Sequence, residues 1–389
     1  MVTSVADSTY ELSMGFLPDS VAIPDPDRVG LLRAGPRAGA PYGGEGVVAQ
    51  RCAAVDVAQP TTYVPDILDG GFDTVDLSSF EELQAACRRV RAAGCIGEVD
   101  AAIIRSALDG AELRTANGRR LTIVHLAAEG FLMRSGGPNR LKVVAGDSLG
   151  MNEHGPATSV HADQDVFGTP LVQLMDGKAP TVFFHDSPDA HNHSARVMLA
   201  NLWIPLQQIT QPLVFADGRS VDRLRQQLRY GLATESFLER DDDQRINDIW
   251  TFLYDPAQQW YFRSEMDHRL AYVFNTTSTP HGSGVLVGED VAERYYTALA
   301  AAEDAVDAGR PDALTDALAP VAGLTPPTAT TPALRRAIAA MATLVADAAQ
   351  DPVATCGARA EQWLAASKNA RSRVVRHSLE LRVVVTIDD

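Results

Sequence analysis

The stretch Ser159-Val160-His161-Ala162-Asp163-Gln164-Asp165 decides how the rest of the chain reads. On an extended strand, residues two apart project from the same face, so His161 and Asp163 offer an imidazole and a carboxylate to one ion. A distant second histidine would complete the two-histidine, one-carboxylate set that leaves a metal with open coordination positions. Alone, the pair carries little weight. With nine histidines and 50 acidic residues in 389, chance supplies about one His-x-acid, and the chain holds one. The flanking sequence has to raise it above chance.

Working outward, the texture is that of short strands. Runs at 121–126, 170–174, 181–184, 196–206, 213–216, 260–262 and 270–274 are apolar, β-branched or aromatic, and turn signals such as Asp217-Gly218 separate them. Strands at this spacing predict a sandwich or double-sheet jelly roll. A charged helix is expected over roughly 220–240, where Leu224, Leu228 and Leu232 stand at i, i+4 and i+8. From 289 to 370 the composition turns Ala-rich, predicting two or three helices with a hinge at Gly323-Leu324-Thr325-Pro326-Pro327-Thr328. Ala richness does not choose between structural cover, a lid and a homodimer interface. The chain then returns to a strand at 374–385. Its odd positions are mostly apolar, and its even positions run Val, Arg, Ser, Glu, Arg, Val. Polar side chains on one face of a strand mean solvent or a polar cavity.

Upstream, residues 1–70 are rich in Gly and Pro and predict an extended arm with few regular elements. The first helix is expected from Ser79, which forms a capping-box pattern with Glu82. Phe80, Leu83, Cys87 and Val90 keep helical spacing, and Gly94 is the expected stop. A second helix is expected over 99–108.

Composition excludes several roles. A net charge of −16 argues against nucleic acid and anionic membrane surfaces as partners. No apolar run reaches membrane-spanning length, and the start lacks the basic and apolar regions of a secretory signal. Cys52, Cys87, Cys95 and Cys356 show no metal or disulfide spacing, so a reducing cytoplasm is expected.

The third ligand should close a late strand, and His281 does so in Thr279-Pro280-His281, after 270–274 and before Gly284-Val285-Leu286-Val287. Fe(II) on His161, Asp163 and His281 would keep positions for a bidentate 2-oxo acid and for O2. The far carboxylate of such an acid needs a cation, and arginine binds carboxylate through a planar fork. Arg376 and Ser378 place a guanidinium and a hydroxyl on one face of the last strand. Arg294, Arg269 and Arg382 are rival anchors, and an exposed Arg376 paired with Glu380 is the plainer reading. His185-Asp186 with His191-Asn192-His193 reads as a solvated loop or lid rather than a second metal site. Asp241-Asp242-Asp243 reads as a solvated turn, and Trp203 and Met198 as core.

With Val160-His161-Ala162-Asp163-Gln164, Asn201-Leu202-Trp203-Ile204-Pro205-Leu206, Thr279-Pro280-His281 and Arg376-His377-Ser378-Leu379-Glu380-Leu381-Arg382 in view, the chain resembles the Fe(II)/2-oxoglutarate-dependent oxygenase superfamily. Within it, the chain looks like the hydroxylase/desaturase group of cephamycin and aspergillic-acid biosynthesis. The resemblance covers roughly 120–286 and 372–386. It implies that His161, Asp163 and His281 are iron ligands and that Arg376 and Ser378 hold 2-oxoglutarate. It departs at Ile204, where the group usually has arginine, and in the long helical segment between ligand and anchor.

The fold expected is mainly β with flanking helices, a double-stranded β-helix (jelly roll) with an Ala-rich helical insertion before the last strand. Residues 1–120 would be an arm and helices packed on the barrel, 121–288 the core, 289–371 the insertion and 372–389 the final core strand. The function expected is hydroxylation or desaturation of a small molecule, a secondary metabolite by the resemblance, with release of succinate and CO2. Two rivals stand beside it. One is a cupin-like isomerase or hydrolase using the same ligands as a Lewis-acid site. The other is a non-enzymatic binding barrel in which the His-x-Asp is accidental.

Overall fold

The computed structural model describes residues 8–35, 46–127, 131–143, 150–152, 154–164, 197–233 and 246–388. Its closing strand, Arg376–Asp388, explains the layering. Leu379, Leu381, Val383, Val385 and Ile387 share one face and pack against two helices, Glu81–Ala93 and Glu98–Leu108, through Leu83, Val90, Ile104 and Leu108. The alternate residues face inward, and Arg376 and Glu380 line a cleft with His161 and His281. The polar face of this strand borders an internal cavity.

Eight strands build the core: Leu132–Gly136, His161–Ala162, Val197–Gln208, Leu213–Ala216, Trp260–Phe262, Leu270–Asn275, His281–Ser283 and Arg376–Asp388. Counted in chain order, one sheet runs 1-8-3-6 and the other 5-4-7-2. Two facing sheets in that order are a double-stranded β-helix, the jelly-roll architecture. Strand 2 lies directly beside strand 7, with His161 opposite His281.

Further elements extend this core. The first part of the chain is not the irregular arm expected from its Gly and Pro content. Thr9–Phe16 and Val48–Asp56 pair in continuous register from Thr9↔Val55 to Phe16↔Val48 and join the second sheet. Leu12, Met14 and Phe16 recur at period two and bury one face of that hairpin. The helix expected over 220–240 is also corrected. Among the described residues of that stretch the α-helix is confined to Arg223–Gln226, and Gln227–Ala233 is a strand paired with Ile246–Phe252. Leu224 is 60% exposed, so the helical leucine pattern had no core to cover, whereas Leu228 and Tyr230 are buried at strand spacing. Residues 234–245, with Asp241-Asp242-Asp243, lie outside the described residues. So do the expected strands at 170–174 and 181–184 and the His185–His193 cluster.

Helix Glu81–Ala93 starts without a side-chain cap, so the Ser79/Glu82 capping box does not form; Gly94 ends it in the left-handed conformation at φ 72°. The insertion holds Glu289–Asp307, Pro311–Leu318, Pro332–Gln350, Pro352–Cys356 and Ala360–Ser372, more helices than the two or three expected. Proline opens three of them, where its missing N–H costs nothing. Their small residues, including Ala298, Ala302 and Ala337, belong to the same buried apolar cluster as Val160, Ala162, Val214 and Phe262 of the second sheet and its approach. The insertion therefore shares one apolar cluster with that sheet. Among the described residues no helix is long and apolar enough to cross a membrane.

One half-buried group on the last strand makes stability pH-dependent. His377 shares a hydrogen bond of 2.8 Å with Ser135 through Nδ1. Burial, helped by the charges of Arg91 and Arg376, pushes its pKa down to about 4. The unfolded chain takes up this proton near pH 6.5 and the folded chain resists it. The stability that His377 contributes as a neutral ring is complete above about pH 6.5 and is lost as pH falls toward 4, by at most about 3 kcal/mol. Urea unfolding of wild type and His377→Gln at about pH 7.5 and 4.5 should show the variant gaining on wild type in acid. Parallel losses in the two proteins would contradict this assignment.

Candidate metal centre

His161 and His281 open their strands, and antiparallel register sets their rings side by side with centroids 4.5 Å apart. Asp163 follows one residue after the short strand His161–Ala162. Its Oδ1 stands 3.3 Å from Nε2 of His161 and 3.5 Å from Nε2 of His281. One ligand atom from each of the three residues lies within 4.8 Å of the others. Ligands about 2.1 Å from a metal at right angles sit about 3 Å apart, so this triangle is close to the size an ion requires.

Hydrogen bonds orient each of the three side chains. Nδ1 of His161 donates to the Ser159 carbonyl and Nδ1 of His281 to the Thr279 carbonyl, each at 2.9 Å. Those partners assign the Nδ1–H tautomer and leave the Nε2 lone pairs facing the shared point. Asn201 Nδ2 donates to Asp163 Oδ2 at 3.3 Å. Burial opposes the Asp163 charge, but the polar His161 and His281 rings beside it and the charge of Arg382 hold its carboxyl well below the usual range. The result is a largely buried carboxylate that stays ionised beside two imidazole rings. The aromatic rings of Phe274 and Phe215 stand 4.5 and 5.9 Å from the His281 ring.

Arg376, the first residue of strand 8, is 1% exposed, which overturns the plainer reading of an exposed arginine paired with Glu380. Glu380 pairs instead with Arg134 at 2.7 Å. Arg376 Nη1 donates to the Gln211 carbonyl at 2.9 Å, and its guanidinium lies 5.7 Å from the Trp203 ring centre. Burial pushes its pKa down to about 10, so it remains a cation at neutral pH. Among the described residues, Arg376 Nε, Ser378 Oγ and Trp203 Nε1 are buried without hydrogen-bond partners. Each such orphan costs about 1–3 kcal/mol unless something fills its place.

The rivals fall elsewhere or differ in kind. Arg269 is exposed and bonded to Asp267; Arg294 is exposed and bonded to the Pro320 carbonyl. Arg382 shares the inward face and stands opposite Asn201, nearer Asp163. Trp203, read as core, packs with Phe72 and Tyr272 and also lines the cleft. Sequence reasoning missed Arg134, a lone charge in a five-residue strand that carried no motif.

A family model described as "Oxidoreductase/YMDC permease-like domain" matches residues 134–292. No curated protein matches the chain. Among solved structures, an iron and alpha-ketoglutarate-dependent endoperoxidase, NvfI, aligns at 13% identity and a TM-score of 0.45, covering 97% of this chain and 98% of that one. The same enzyme in a different conformation aligns at 13% and 0.43, with 97% and 98% covered. Likeness at this level assigns no activity to the chain, and the fold stands on the strand order.

Proposed function

We propose that the protein is an Fe(II)- and 2-oxoglutarate-dependent oxygenase acting on a small molecule. One observation carries the reading. A single buried cleft combines the ligand face of His161, Asp163 and His281 with a cation, Arg376, that has a donor to spare. A Lewis-acid hydrolase needs the ligands and a water, and its chemistry does not require that cation. A dicarboxylate that chelates the metal at one end uses both.

Bound iron and cosubstrate would supply the oxidising power, coupling O2 and decarboxylation of 2-oxoglutarate to succinate and CO2 with oxidation of a substrate C–H bond. The chain supplies position. His161 and His281 present Nε2 lone pairs, Asp163 adds the compensating charge, and Asn201 fixes its second oxygen. Arg376 donates to the far carboxylate in the fork geometry that suits it, with Ser378 beside it. Phe215 and Phe274 keep water from the side of His281. Hydroxylation or desaturation of a secondary metabolite is the reaction that fits this arrangement together with the family resemblance.

The test is anaerobic titration of the metal-free protein with Fe(II) and then 2-oxoglutarate, followed by O2. The expected result is the weak visible band of an iron-chelated 2-oxo acid, then succinate release. Stoichiometric iron binding with no band would sink the proposal and favour the Lewis-acid alternative.

A further inference from the structure

Three non-glycine residues of the described chain have left-handed backbone: Asn139 (φ 54°), Arg140 (φ 64°) and Gln211 (φ 43°). For Arg140 and Gln211 such a conformation costs about 1 kcal/mol or more, and for Asn139 less, so the first two persist only where their surroundings impose them. One side chain holds two of the three. Glu289 Oε1 accepts from the Gln211 N–H at 2.7 Å and the Leu286 N–H at 2.9 Å, and Oε2 accepts from the Asn139 N–H at 2.8 Å. Glu289 is the first residue of the insertion and is completely buried.

Both turns border the anchor. The Gln211 carbonyl accepts from Arg376 Nη1 at 2.9 Å, and the Gln211 side-chain amide donates to the Gly137 carbonyl. The Ser283 hydroxyl lies 3.4 Å from both the Gln211 carbonyl and Arg376 Nη1. Gly136, just before the Asn139 turn, is the register partner of Arg376. A buried arginine has several rotatable bonds, and a fixed carbonyl is what selects one direction. That carbonyl is fixed because Glu289 holds the N–H of the same residue.

We infer that Glu289 is a positioning residue for the cosubstrate anchor, pinning the two strained turns that aim Arg376 and tying the anchor's geometry to the helical insertion. This rests on the proposed oxygenase reading. It also gives the insertion a task besides its share in the apolar cluster. Its first residue sits in the core between the last metal ligand and the anchor.

The experiment is anaerobic calorimetry on the Fe(II)-loaded protein with two ligands, 2-oxoglutarate and pyruvate. Pyruvate has the same chelating head and no far carboxylate. Glu289→Gln keeps the size but turns one acceptor into an N–H that faces the Asn139 N–H. The expected result is a rise of about tenfold in Kd for 2-oxoglutarate, with pyruvate unchanged. A purely structural role would shift both ligands or neither, and retention of the wild-type preference would overturn the inference. Glu289→Asp, one methylene too short to reach both turns, is the second variant if the first does not fold. A wild type with no preference between the two acids would remove the anchor reading and this inference together, and that outcome is visible before any variant is made.

Discussion

His161→Ala is expected to lose stoichiometric iron and at least about a thousandfold of turnover. Removing groups that merely orient metal ligands costs 10–100-fold, so losing a ligand itself must cost more. The site offers no substitute. Among the described residues, His161, Asp163 and His281 form the cluster able to hold an ion, and two of them cannot fix its geometry. The fold should survive, because the His161 side chain is 14% exposed at the cleft and belongs to none of the packed apolar clusters. Asp163→Asn, which keeps the shape and drops the charge, should fall between the two. Metal content after dialysis and succinate release are the measurements. A His161→Ala protein that retains iron with wild-type affinity would remove this residue from the centre.

Legibility in the sequence followed the length of the pattern. The last strand has 13 residues, enough alternation to predict a polar face, toward solvent or a cavity, and to place Arg376 and Ser378 on it. Strand 2 has two residues, too short for any periodicity, and its position was legible only through the chemistry of His161 and Asp163. Helical spacing misled at Leu224 and Leu228 because i, i+4 is also an even spacing. Pairing with Ile246–Phe252 decided for strand. The paired strands near the start were hidden because Gly and Pro in the connections dominated the composition. Glu289 was invisible for a different reason. It reads as a first-turn acid of an Ala-rich helix, and only the fold brings Gln211 and Asn139 to it.

Arg376→Ala should raise the Kd for 2-oxoglutarate by about a hundredfold and leave that for pyruvate nearly unchanged. A charge-assisted hydrogen bond contributes about 1.5–3 kcal/mol, and a two-pronged contact lies toward the upper end of that range. At 1.4 kcal/mol per decade, this is roughly one to two powers of ten. Burial strengthens the expectation, since 1% exposure leaves water unable to replace the lost donor. Arg376→Lys should recover only part of the loss, because an ammonium keeps the charge without the planar fork. Lysine also loses the stacking of the guanidinium on Trp203. The contrast between the two acids separates an anchor from a scaffold. Weakening of both by the same factor would mean that Arg376 merely supports the cleft. If neither changes, the far carboxylate binds elsewhere, and Arg382 becomes the next candidate: it shares the inward face, and among the described residues its Nε is buried without a partner. The same titration on Arg382→Ala would then decide it.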